Sequence, residues 1–440
     1  MADTDDKGLK KSLGFWALLS YGLGDILGAG IYALMGKVAG AAGMYAWLGF
    51  AISLLAAAVT ALTYSELVTR FPRSGGEAFY TQQGFRWPLV STVVGWLVFC
   101  AGTLSLSAIA VAFAGYLYDW LPGLPTAFTT AAFILTLGFI NFWGIRESST
   151  ANIICTAIEA SGLIIVIVVG IHFLADHGTG TTSTASAVSD MQKADWIGIM
   201  QGAALAFFAF IGFQDMVNVA EEVKSPRRHF PTAILSALGV AGLAYIVIAI
   251  IATRVVEPAA LGASSAPLND VVAIASGESS LQQLFPVIAL FAVANTGLLN
   301  FVMASRLLYG MAVQGLVPNG LAEVHQHRRT PHWAIMVVLL AALALALSGT
   351  LDYLAGSTST LLLIVLFTVN LALIMIKRRD PESGHNGFRV PMIVPLLGVA
   401  ITGGVIGFAQ ASALMTSAGL IAVGVGLWGI RRFFNEARHL

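Results

Sequence analysis

Long apolar stretches alternate with short polar connectors along the whole chain. Crossing a bilayer core takes about 20 apolar residues in a helix. Segments of that kind lie at 15–37, 44–69, 88–116, 126–143, 150–173, 196–220, 231–252, 285–314, 333–350, 358–376, 390–410 and 413–433, predicting about twelve transmembrane helices. Breakers or charges bound most of them, as at Phe71-Pro72-Arg73, Leu121-Pro122-Gly123, Ser225-Pro226-Arg227 and Val317-Pro318-Asn319. Two segments do not read as plain helices. The first carries Gly22-Leu23-Gly24-Asp25-Ile26-Leu27-Gly28-Ala29-Gly30-Ile31, four glycines and an acid in an apolar run. The sixth carries Phe207-Phe208-Ala209-Phe210-Ile211-Gly212-Phe213-Gln214-Asp215.

The spacing of these two irregular segments predicts an architecture. Membrane transporters built from inverted five-helix repeats carry broken helices at matching places in the two halves. Glycine in membrane helices also serves close packing, but here two interrupted segments stand five apart, one with an embedded acid. The expected fold is an all-α membrane protein with a 5+5 inverted repeat plus two C-terminal helices, helices 1 and 6 being broken. The units are a tail at 1–14, a first repeat at 15–173, a polar loop at 174–195 expected to be mobile, a second repeat at 196–376, and two helices with a tail at 377–440. A break leaves backbone N–H and C=O groups without helical partners, which a membrane tolerates only where protein, water or a ligand satisfies them. N–H groups at a helix N-terminus suit a carboxylate. Freed carbonyls suit an ammonium, and an α-amino acid carries both groups on one carbon.

Composition narrows the class. The chain has 440 residues, 57% hydrophobic and only 10% charged, with a mean hydropathy of +0.81. Soluble domains carry roughly a quarter charged residues, so lipid is the expected partner of much of this surface. A net charge of zero offers no field for nucleic acid. Nineteen of the 23 basic residues fall on one alternate set of connectors, including Lys7, Arg70, Lys224, Arg328, Lys377 and Arg431. The other set holds Lys193 and Arg254, with Lys37 at the outer end of the first segment and Arg306 inside the eighth. The positive-inside rule then puts both termini in the cytoplasm of a cell-membrane protein. The N-terminus has no cleavable signal pattern. Cys100 and Cys155 lie in apolar stretches, where a disulfide is not expected.

The chemistry-bearing residues sit mostly at membrane depth. An ionised acid at mid-bilayer costs at least ~2.5 kcal/mol on insertion scales, so Asp25 should face a site or a polar neighbour. It reads as a counter-charge for an ammonium, a proton carrier, or an acid satisfied by the helix break. Glu159, in the fifth segment, is either a proton-coupling acid or a packing-level hydrogen-bond partner. Asp215, Gln214, Asn295, Asn300 and Thr103 are further candidates to line a cavity. Glu66, Glu77, Glu221 and Glu222, beside Arg70, Arg73, Lys224, Arg227 and Arg228, form a candidate inner gate or a solvated cluster. No histidine set has zinc spacing, no phosphate-binding glycine loop occurs, and no nucleophile–base pair is recognisable. Neither enzymatic chemistry nor a cofactor or metal is expected.

Several motifs, in order, resemble one family. Gly28-Ala29-Gly30-Ile31-Tyr32, Thr63-Tyr64-Ser65-Glu66-Leu67 with Phe71-Pro72-Arg73-Ser74-Gly75-Gly76-Glu77, Phe208-Ala209-Phe210-Ile211-Gly212-Phe213 with Ala220-Glu221-Glu222-Val223-Lys224-Ser225-Pro226, and Ala304-Ser305-Arg306-Leu307-Leu308-Tyr309-Gly310 resemble the amino acid–polyamine–organocation permeases. The resemblance implies a substrate site between helices 1, 3, 6, 8 and 10. The carboxylate would sit on Ala29 and Gly30, and the amino group would meet carbonyls of Ile26, Phe208 and Ile211. The aromatic ring of Phe208 would close over the substrate, beside Gly212. Many relatives have serine where this chain has Ala29, so one hydroxyl is missing. Glu159 stands where some proton-coupled relatives carry lysine. The expected function is secondary active transport of an amino acid by alternating access with proton-coupled uptake. An amine or polyamine carrier or an exchanger is the alternative, and a sensor without transport comes after it.

Overall fold

The computed structural model describes residues 14–71, 76–144, 149–177, 195–277, 279–315, 317–380 and 387–437. Residues 1–13 of the expected N-terminal tail and 178–194 of the expected 174–195 loop lie outside the described residues, and 174–177 are helical rather than loop. Among the described residues all regular structure is helical. Among the described residues nine helical stretches are long and apolar enough to cross a membrane, Ala29–Arg70 counting as one, and His332–Ser348 and Ile393–Gly407 are shorter apolar helices. Each of the sequence-predicted segments falls on a helix or on a pair of helices.

The first segment splits into α1 (Phe15–Ile26) and α2 (Ala29–Ala42). Leu27 keeps helical angles, and Gly28 leaves them with ψ −146°. The interruption is therefore narrower than the glycine run suggests, because Gly22 and Gly24 stay helical. A Cβ at Gly22 would lie 2.5 Å from the Met216 sulfur, so this glycine serves packing. Gly43, at φ +59°, turns the chain from α2 into α3 (Ala46–Arg70). This left-handed corner is open to glycine at little cost, and it divides an otherwise continuous apolar stretch.

A short helix, α4 (Gly76–Phe85), then precedes α5 (Pro88–Trp120), α6 (Thr126–Trp143) and α7 (Ser149–His177). Proline begins α5, where its missing N–H has no intrahelical partner to lose. The sixth segment starts as α8 (Trp196–Ala206), with the Asp195 carboxylate accepting from the Ile197 N–H at 3.1 Å. It tightens over Phe207–Phe210, becomes extended at Ile211, passes Gly212 at φ +122° and winds on as a 3₁₀ stretch over Phe213–Glu222. The remainder is α9 (Pro226–Val255), two short helices α10 (Pro258–Ala263) and α11 (Pro267–Ser276), α12 (Ser279–Val313), α13 (His332–Ser348), α14 (Leu351–Arg379), α15 (Ile393–Gly407) and α16 (Ala411–Ala437). Three of these, α4, α10 and α11, are not signalled by the apolar pattern, being too short and too mixed to stand out.

The two broken segments lie inside the bundle. Ile31, Tyr32, Leu34 and Met35 of α2 and Phe207, Phe210 and Phe213 of the sixth segment are buried. By contrast, α6, α7 and α16 expose apolar side chains, with Phe128 64%, Val168 60% and Met415 76% exposed. Apolar surface on that scale is stable only against lipid or another apolar face. The core is braced by α3 against α9, and by α12 and α14 against α5. Buried polar bonds tie α14 to α3: the Thr63 hydroxyl donates to the Asn370 side-chain oxygen at 2.7 Å, and the Asn370 amide donates to Thr60 at 3.2 Å.

Candidate functional site

The two breaks face each other. A Cβ on Gly30 would lie 2.5 Å from the Ala209 Cα, and one on Gly212 would lie 2.8 Å from the Asp25 carbonyl carbon. Glycine at both positions lets two backbones approach to a distance that any side chain would forbid. Between them is a small hollow lined by Asp25, Ile26, Gly30, Ser105, Ile109, Phe208, Ala209, Ile211, Asp215, Thr296 and Asn300. Water centres can occupy about 20 Å³ of it, room for about one water molecule.

The freed backbone groups have partners from distant helices. The Ala29 N–H, first in α2, donates to the Thr296 hydroxyl at 2.9 Å, and that hydroxyl donates to the Ala292 carbonyl at 3.0 Å. The Tyr245 hydroxyl donates to the Ile26 carbonyl at 2.5 Å. Around the second break, Ile211 N–H donates to the Phe208 carbonyl at 3.2 Å, Asp215 N–H to the Gly212 carbonyl at 2.9 Å, and Gly212 N–H to the Gln214 side chain at 3.1 Å. The Gln214 amide in turn donates to the Asp215 carboxylate at 3.1 Å. Each carbonyl has two lone pairs, so the Ile26 and Phe208 oxygens keep acceptor capacity beyond these bonds.

Of the residues singled out in the sequence, Asp25, Ile26, Gly30, Phe208, Ile211, Asp215 and Asn300 come together around the hollow. Ala29 is beside it with its N–H engaged, and Gly212 packs on Asp25. Thr103 is elsewhere: its hydroxyl donates to the Phe99 carbonyl at 3.1 Å, and Ser105 and Ile109 are the α5 residues at the hollow. Two positions apart on a helix is about 200° around the axis, so Thr103 and Ser105 point to nearly opposite sides. Glu159, fully buried on α7, does not line the hollow. Its Oε1 accepts from the Asn295 amide at 2.8 Å, and its Oε2 has no hydrogen-bond partner. A chain of tyrosines runs past it: Tyr32 donates to the Glu159 carbonyl and Tyr116 donates to the Tyr32 carbonyl, both at 2.9 Å. The sequence reading missed Thr296, Ser105, Ile109 and Tyr245. A threonine next to Asn295 in an apolar run was the one available signal.

The expected acidic cluster at the α3 end is drawn differently. Buried Glu66 accepts from Lys377 on α14 at 2.6 Å and from the Val390 N–H at 2.8 Å, with Arg70 farther off at 3.8 Å. Lys377 also donates to the Val390 carbonyl at 2.6 Å. The group thus ties α3 to α14 and to the segment entering α15, and its nearer cation comes from 311 residues away, with the neighbouring Arg70 at a longer distance. Lys224 and Arg228 are exposed; Arg73 and the side chains of Glu221 and Glu222 lie outside the described residues. Glu77 of α4 accepts from the Tyr64 hydroxyl at 3.0 Å, and burial pushes its carboxyl above the usual range while that bond and the backbone pull the other way. At the far end of α2, Lys37 donates to the Gly262 carbonyl at 3.0 Å and pairs with Asp352 at 3.4 Å.

Comparison with known proteins agrees with this architecture. The model of the family described as amino acid permease matches residues 13–430. The branched-chain amino acid permease BcaP of Bacillus subtilis is 27% identical over 91% of this chain and 88% of its own length. A methylthioribose transporter of the same organism is 27% identical over the same shares. The vacuolar cationic amino acid transporter 4 of Arabidopsis thaliana is 28% identical over 86% of this chain and 64% of its own. A match that runs through both broken segments and nearly the whole chain settles the class: this is a multi-pass membrane transporter, not an enzyme, and it belongs to the amino acid permease family.

Proposed function

We propose that the protein carries an amino acid across the cell membrane by alternating access, with uptake coupled to protons. The observation that supports it best is the apposed pair of broken helices, which presents a helix N-terminus, backbone carbonyls and two acids to one hollow. Twelve crossings, arranged as two inverted five-helix repeats followed by two helices, with both termini in the cytoplasm, fit the helix order and the placement of basic residues. In that reading Asp25, Ile26, Ala29, Gly30, Phe208, Ile211 and Gly212 form the substrate site.

The hollow admits about one water, so substrate enters only after the helices around it separate. Glu159 and Asp25 are the proposed proton carriers. Glu159 is fully buried with one carboxyl oxygen lacking a hydrogen-bond partner, an arrangement that favours a proton over a bare charge. Purified protein in liposomes should accumulate amino acid when the outside is made acidic, and Glu159→Gln should abolish the response to the pH gradient. Uptake indifferent to that gradient in the unaltered protein would rule out proton coupling. A second reading, transport of an amine or polyamine, is favoured by Asp25 and Asp215 both facing a hollow whose lining includes no lysine or arginine. Competition by decarboxylated analogues as strong as by the amino acids would select it.

A further inference from the structure

The N-terminus of α2 has no oxygen of its own to offer. Gly28, which precedes the helix, has no side chain, and Ala29 has no hydroxyl. The oxygen that meets the first N–H comes instead from Thr296 of α12, 267 residues along the chain. Thr296 is 8% exposed, lines the hollow, and reaches that N–H only because position 28 is glycine. A Cβ there would overlap the Thr296 hydroxyl and lie 3.1 Å from both its Cβ and Cγ2.

We propose that Thr296 is a specificity-determining residue that donates its hydroxyl hydrogen to the substrate carboxylate at the α2 N-terminus. This rests on the amino acid reading of the hollow. In the closed structure the hydroxyl hydrogen is parked on the Ala292 carbonyl, one turn back on α12. That carbonyl sits in a helix and has a backbone N–H partner as well, so releasing the hydroxyl strands no polar group. Rotation of the hydroxyl presents the hydrogen to the hollow. The first N–H groups of a helix have no intrahelical acceptors, so a carboxylate here meets backbone donors and the threonine hydroxyl together. An amine without a carboxylate has no acceptor for the threonine's hydroxyl hydrogen, which makes Thr296 a selector between the two classes.

The test is uptake or binding in liposomes by wild type, Thr296→Ser, Thr296→Val and the double variant Thr296→Val with Ala29→Ser. The probes are an amino acid that the wild type carries and its decarboxylated amine, with thermal melting of each variant alongside. Loss of a hydroxyl donor to a charged acceptor should weaken amino acid recognition by on the order of ten- to a hundredfold. Thr296→Val should therefore raise the apparent KM for the amino acid by that factor and leave the amine value unchanged. Thr296→Ser should behave as wild type, and Ala29→Ser should restore amino acid recognition in the Val background by placing a hydroxyl at the same N-terminus. Equal effects on both probes, or a wild-type KM in Thr296→Val, would overturn the assignment. If Thr296→Val does not fold, Thr296→Ala is read in the same way. Failure of the wild type to carry any amino acid would instead overturn the amino acid reading itself.

Discussion

Replacing Gly30 with alanine tests whether the close approach of the two breaks matters. The added Cβ would stand 2.5 Å from the Cα of Ala209 and 3.1 Å from its Cβ. Carbon atoms are at ease about 3.5–4.0 Å apart, so α2 and the Phe207–Phe210 turn must part by about 1 Å. Both partners are backbone or the stub of alanine, so no rotamer change relieves the clash. Overpacking of this kind costs about 1–3 kcal/mol, and the helix preference of alanine over glycine returns at most about 1 kcal/mol. The closed arrangement should lose population by about 5- to 150-fold on the overpacking range alone. Substrate uptake should fall accordingly, and the thermal melt in detergent should drop. Gly239→Ala is the control: that glycine lies exposed on α9 with no atom within 4 Å of an added Cβ. It should melt at or slightly above the wild-type temperature and transport normally. Wild-type uptake and melting in Gly30→Ala would refute the claim that the site depends on this contact.

Other perturbations follow from the same geometry. Tyr245→Phe removes the donor to the Ile26 carbonyl and should destabilise by about 1–3 kcal/mol; an unchanged melt in detergent would mean another donor takes over. Glu66→Ala strands the Val390 N–H and takes the carboxylate from partly buried Lys377, with an expected loss of about 3–5 kcal/mol. Adding Lys377→Met should recover part of it, and a melt no higher in the double variant would argue against the pairing. Glu77 has its proton affinity raised by burial, so the folded state resists its ionisation. Wild-type stability should therefore fall as pH rises from the ordinary glutamate range near 4.3 through the higher folded value. The isosteric Glu77→Gln keeps an acceptor for Tyr64 and should gain on the wild type as pH rises; a constant difference in melting temperature from pH 4 to 8 would contradict this.

The sequence by itself determined the membrane class, the helical segments and the place of both interruptions. Hydrophobic length is a local property, and glycines with an acid in an apolar run can break a helix without consulting the rest of the chain. It also named seven residues that line the hollow. The apolar pattern did not disclose α4, α10 or α11, whose short mixed sequences acquire helical form from what they pack against. Tertiary structure alone decided that Ser105 rather than Thr103 faces the hollow, since a helix with polar residues on several sides does not announce its inward face. It alone decided that Glu66 pairs with Lys377 and that Thr296 and Tyr245 hold the edges of the first break. These partners lie hundreds of positions away along the chain. A hydrogen bond depends on where two atoms end up in space, and that is fixed only when the helices have packed.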